Sequence, residues 1–137
     1  MSYKHILVAV DLSEESNYLV KKAVALAESL KAELSLIHID ENYNEHYIGL
    51  IDINLKTREY SEEFIAKLAE KTDYPLRNTF VGSGHLCDEL CHTIREFNID
   101  ILVCGHHQDF VSKFSSSAKK IINRSPVDML VVPIIKE

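Results

Sequence analysis

The amino-acid sequence predicts an α/β protein built on a doubly wound, open parallel sheet with helices on both faces. Three observations carry that prediction: continuous apolar runs at 6–10 and 101–104, amphipathic helical stripes between the strand-like segments, and polar or glycine-bearing breaks between the two patterns. A run that is apolar at every position, rather than at alternate ones, marks a strand covered on both faces, as in parallel sheets. Strand and helix in alternation, joined by right-handed crossovers, wind such a sheet.

Ile6-Leu7-Val8-Ala9-Val10 is the first such run and ends at Asp11. Ser13 is placed to cap the next helix, whose apolar positions Leu19, Val20, Ala23, Val24, Ala27 and Leu30 recur at spacings of three and four. Residues 34–39 read as the second strand, interrupted by His38 and closed by the polar Asp40-Glu41-Asn42. That leaves 41–54 as an unusually long connection before a second helix marked by Tyr60, Phe64, Ile65, Leu68 and Ala69. In the third strand, 76–81, Arg77, Asn78 and Thr79 break the apolar pattern, as suits a sheet edge. After Gly82-Ser83-Gly84, the stripe Leu86, Leu90, Ile94 and Phe97 gives a third helix ending near Asn98. Ile99 and 101–104 form the second buried strand, stopped by Gly105. Ala118, Ile121 and Ile122 carry a fourth helix that Pro126 ends, and 127–135 is the last strand.

A length of 137 residues is enough to bury a core in two or three layers, so the expectation is one domain over 1–137. Hydrophobic residues at 46% and charged residues at 26% exclude a disordered or fibrous chain. A net charge of -6 repels phosphates and anionic lipid, which argues against nucleic acid or a membrane surface as partner. No apolar run approaches the roughly 20 residues that span a bilayer, and residues 1–5 lead straight into a strand rather than a signal-peptide core. A cytoplasmic protein is expected. Cys87, Cys91 and Cys104 are odd in number and read as thiols, not as a disulfide framework.

Ligands of open parallel sheets bind beyond the carboxyl ends of the strands, which directs attention to Asp11, Asp40, Gly82, Gly84 and Gly105-His106-His107. Asp11 has two readings: it orients a ribose, base or metal, or it helps to cap the helix with Ser13. Gly82-Ser83-Gly84 has backbone N–H groups to offer an anion at a helix start. A plain turn has the same composition, however, no Lys follows as in a P-loop, and Asp88-Glu89 already supply negative charge. His85, Cys87, Cys91 and His92 suggest zinc by residue type, but on one helix the histidines point well away from the cysteine face, and no metal is expected. Histidines at 106 and 107 suit acid–base chemistry, yet no G-x-S-x-G elbow or triad accompanies them, and no catalytic residue is assigned. A phosphoryl-receiver reading fails as well, since Val81-Gly82 and Val132-Pro133 stand where its acid and lysine belong. Ser115-Ser116-Ser117 with Lys119-Lys120 reads as a helix start before it reads as a phosphate site.

Residues 3–13, Leu36-Ile37-His38-Ile39-Asp40 and Gly49-Leu50-Ile51-Asp52 resemble the universal stress protein family of the UspA type. So do 100–110, Ser116-Ser117-Ala118 and 127–133, and the resemblance spans nearly the whole chain. It implies a five-stranded parallel sheet of order 3-2-1-4-5, an adenine nucleotide alpha hydrolase-like architecture, and a homodimer formed through the last strand, with Val127, Met129, Leu130, Val131, Val132 and Pro133 at the interface. An apolar terminal strand of that kind would otherwise stand as an unpaired edge. ATP-binding members follow the fourth strand with G-x-x-G, nine residues, then G-[ST]. Gly105 matches the first glycine, while Gln108, Ala118 and Lys119 replace the second glycine, the third glycine and the hydroxyl residue. Side chains there obstruct phosphate and cost roughly 1–2 kcal/mol wherever a left-handed backbone is needed. With Asp11 and His106, these residues would line only a vestigial nucleotide crevice, without cofactor. The resemblance then implies a non-enzymatic stress-response dimer that acts through protein partners, supporting survival in growth arrest and resistance to DNA-damaging agents. The alternative is an ATP-binding switch or weak ATPase of the same family.

Overall fold

Buried at every position, β1 (His5–Ala9) occupies the centre of a five-stranded sheet. The structure, a computed structural model, describes residues 2–41, 51–107, 119 and 121–134. After β1 come α1 (Glu15–Leu30), β2 (Glu33–Asp40), α2 (Ile51–Glu70), β3 (Leu76–Ser83), α3 (Leu86–Glu96), β4 (Ile101–His107) and β5 (Asp128–Ile134). The strand order is β3-β2-β1-β4-β5 and every neighbouring pair is parallel, as expected.

Alternation along each strand divides the core into two layers. Ile6, Val8 and Val10 meet Leu19, Val20 and Ala23 of α1 and Ile65 and Leu68 of α2 on one face. Leu7 and Ala9 meet Leu86, Leu90 and Ile94 of α3, together with Ile121, on the other. Both faces of the sheet are covered, which is why its central strands are apolar throughout.

Several element ends differ from the sequence expectation. Ser13 does not cap α1: Glu14 holds the N-cap position in a right-handed conformation without a side-chain bond, and the Ser13 hydroxyl turns back to the Asp11 carboxylate. The second helix already begins at Ile51, because no Gly or Pro interrupts the chain from there to Glu70, so the connection after β2 is shorter than 41–54. Gly105 does not stop β4, which continues to His107, paired as Gly105↔Val132 and His107↔Ile134. Likewise β3 runs through Gly82 to Ser83, held by Ile39 and Asp40 of β2. Asn98 closes the α3 region with φ 53, a left-handed conformation asparagine tolerates better than most residues. Of the expected fourth helix, Ala118 lies outside the described residues, Lys119 and Ile121 are helical, and Ile122 is already in the following turn and 59% exposed.

Candidate functional site

Beyond the carboxyl ends of β1 and β2 lies a crevice of about 80 Å³, with Asp11, His38 and Glu41 on its polar side and Ile37, Leu86 and Leu90 on its apolar side. Pockets that hold drug-sized ligands run from roughly 300 Å³ upward. This crevice is therefore too small for such a ligand; the point where strand order reverses lies elsewhere, between β1 and β4.

Asp11 is engaged within its own turn. Its Oδ1 accepts the Ser13 N–H at 3.0 Å, the Ser13 hydroxyl, and the Ser16 hydroxyl at 3.2 Å, while the Asp11 carbonyl accepts Ser16 Oγ–H at 2.6 Å. These bonds shape the passage from β1 into α1, so the carboxylate organises the helix start without a cap at Ser13.

Gly105, the retained first position of the phosphate-loop pattern, sits inside β4, and the sole glycine with positive φ among the described residues is Gly84. A Cβ at Gly105 would meet Ile134 Cδ1 at 2.5 Å and Leu19 Cδ2 at 3.7 Å. The Ile134 side chain of β5 thus occupies the space of a Cβ here and would have to swing aside for any larger residue. His106 is half-buried beside it, and Lys119 is exposed. Gln108 and Ala118 lie outside the described residues, as do Ser115, Ser116 and Ser117.

At the β3 end, Gly84 adopts φ 128 and donates its N–H to the Asp40 carbonyl at 3.0 Å. That bond commits one of the N–H groups that an anion would need, and the segment serves as the turn from β3 into α3.

Sequence reasoning missed a polar network beside the crevice. The Asp40 carboxylate lies 2.9 Å from His38 Nε2 and accepts the Ser61 hydroxyl at 2.6 Å, while His38 Nδ1 lies 2.9 Å from the Val10 carbonyl. Its trace in the sequence is a histidine and an aspartate two apart in an apolar strand, hence on one face. Ser61, distant in sequence, carried no such mark.

The family follows from the whole chain. A sequence model described as "Universal stress protein family" matches residues 2–133. The chain belongs to the universal stress protein family and is of the UspA type. It is 48% identical over 142 residues to Universal stress protein A of Escherichia coli, covering 100% of this chain and 99% of the relative. In fold it is similar to the universal stress protein UspA from Lactobacillus plantarum, with a TM-score of 0.72 at 17% identity, covering 96% of this chain and 99% of the other. It is also similar to a universal stress protein solved in complex with cAMP, with a TM-score of 0.62 at 22% identity, covering 97% and 98%.

Within this universal stress protein fold, β5 has β4 as its one neighbour among the described residues. Val127 just before β5, and Met129 and Val131 within it, are half-buried against the α3 layer; Leu130 is 39% exposed and Pro133 is exposed. Val132 turns into the α1 layer and is buried, so only its backbone faces outward. The cysteines are occupied elsewhere: Cys91 is buried with its thiol 3.5 Å from the Arg124 carbonyl, and burial pushes the Cys104 thiol up to about 11. His92 pairs with Glu96 at 2.9 Å. Among the described residues, no helix is long and apolar enough to cross a membrane.

Proposed function

We propose that this member of the stress-response family works without enzymatic activity, as a cytoplasmic homodimer that binds ATP weakly or not at all. It acts through protein partners to support survival in growth arrest and resistance to DNA-damaging agents. The observation that carries the reading is the phosphate-loop pattern: only Gly105 matches its four marked positions, and that glycine lies within β4 beneath the Ile134 side chain. In the sequence, Gln108, Ala118 and Lys119 stand at the pattern's remaining positions, two of them glycine in ATP-binding members. Net charge of -6 makes direct action on DNA unfavourable, so protection against damage runs through other proteins.

The competing reading, an ATP-binding switch or weak ATPase, draws on the cAMP complex of a protein with the same fold. Equilibrium dialysis with labelled ATP and Mg²⁺ separates the two. The proposal expects no saturable binding in the micromolar range; saturable binding abolished by Asp11→Ala would overturn it.

A further inference from the structure

On the sheet face covered by α1 and α2, the two helices leave a groove of about 510 Å³ between them. That lies within the range of roughly 300–1,000 Å³ in which small molecules are held. Its floor is apolar: Val20 and Val24 of α1 meet Leu68 of α2 there, and Val20 and Leu68 are buried. Its rim carries Lys21 and Glu28 of α1, with Lys71 and Asp73 just after α2. All four are exposed, and among the described residues none of these side chains is engaged in an ion pair or hydrogen bond. The other polar lining groups, Asn17 and Thr72, instead donate to the Glu14 and Leu68 carbonyls.

The charges are ordered along the groove. Lys21 and Glu28 are seven residues apart on one helix, which sets them about 10 Å apart along its axis. The Tyr74 hydroxyl donates to the Ala32 carbonyl just past α1, so the chain that follows α2 is anchored at the Glu28 end, and Asp73 with it. One end of the groove is thus acidic and the other, at Lys21, basic, with the apolar floor between them.

We propose that this groove binds a short apolar peptide, about three residues long, by both of its free ends. An extended chain advances roughly 3.3–3.6 Å per residue, so three residues span the interval between the basic and acidic ends. The terminal ammonium meets Glu28 and Asp73, the terminal carboxylate meets Lys21, and the apolar side chains lie on Val20, Val24 and Leu68. Lys71, on the α2 wall, donates to the peptide carbonyls. A fatty acid or other amphipathic anion complements the lysines alone and sets its tail against two carboxylates, so the mixed rim favours the zwitterion. Exposed charge pairs are weak singly, and recognition therefore takes both ends together with the apolar contact.

Titration of the ¹⁵N-labelled full chain with a valine-alanine-valine tripeptide, followed by amide spectra, tests this. The amides of Val20, Val24, Leu68 and Thr72 should shift saturably. Acetylating the peptide's amine or amidating its carboxylate should each weaken binding roughly two- to fivefold, the size of one exposed ion pair. Lys21→Gln should weaken the free peptide by a similar factor and leave the amidated one unchanged, and Glu28→Gln should do the same for the free and acetylated peptides. Both residues are exposed, so neither change threatens the fold. A peptide with both ends blocked that binds as tightly as the free one overturns the proposal, as does decanoate binding more tightly than the peptide, or the absence of any saturable shift in these amides.

Discussion

The two edges of the sheet are treated differently. Along β3, Arg77 pairs with Glu33, Arg58 Nη2–H donates to the Val81 carbonyl at 2.6 Å, and the register against β2 shifts between Leu34 and Ser35. Charge, a capped carbonyl and an irregular register are the devices that stop an edge from recruiting another strand. Along β5, residues 129–134 are apolar, pair in unbroken register with β4, and include the exposed Leu130. One sheet thus carries an edge defended along its length and a plainer one, interrupted only by Pro133, which lacks an N–H, and the plainer one is where the proposed self-pairing falls. On the proposed homodimer, association turns on edge chemistry rather than on burial of the sheet faces.

The sharpest test of this contrast is a charge placed on each edge in turn. Val131→Asp should reduce the particle mass measured by light scattering from dimer to monomer, since an uncompensated charge in a strand-pairing region costs several kcal/mol. Thr79→Asp on β3 should leave the mass unchanged. A Val131→Asp protein that keeps a dimer mass would break the comparison.

Next in size is Gly105→Ala, which forces a methyl into the Ile134 side chain over the β4–β5 seam. Overpacking costs roughly 1–3 kcal/mol, and the low end is expected here because the Ile134 methyl can swing aside; it is read as a lower denaturation midpoint that Ile134→Val in the same chain should partly recover. Recovery would tie the glycine to packing of the plain edge; an unaffected midpoint would return it to the phosphate-loop reading.

Smaller again is the defended edge. Arg58→Ala should lower stability by about 1 kcal/mol and speed hydrogen exchange around β3 more than around β5. Equal acceleration at both edges would mean that the arginine is not a local guard.

The mildest expected effect is a pH dependence from His5, which joins β1 to the β2 side of the sheet. Its ring is 4% exposed, 2.7 Å from the Ser35 hydroxyl, and burial lowers its pKa from the ordinary 6.5, with the Phe97 backbone bond opposing. Above about 6.5 the imidazole is neutral in both folded and unfolded chains, and its contribution to stability is intact. As pH falls below that, the unfolded chain takes up the proton first, so stability declines toward the lowered folded-state value. Urea denaturation over this range should show the slope, and His5→Gln should flatten it.

Much of this is legible in the sequence. Continuous apolar runs located β1 and β4, because only a strand covered on both faces tolerates them, and the three-and-four spacing of Leu19, Val20, Ala23 and Ala27 marked the buried stripe of α1. Ends were less legible. Gly105 looked like a stop, yet glycine is also what a ladder needs where a neighbouring side chain fills the space of a Cβ. Ser13 had the composition of a cap, but its hydroxyl found the nearer Asp11 carboxylate.

Local pattern determined the alternation of strand and helix and which side chains enter the core, because periodicity and composition act over neighbouring residues; the family follows from the match of the whole sequence. Only the tertiary structure decided that Ile134 fills the space above Gly105, that Val132 faces inward, and that His38, Asp40 and Ser61 meet. Each of these depends on which strand or helix lies alongside. Spacing along a single element cannot specify that.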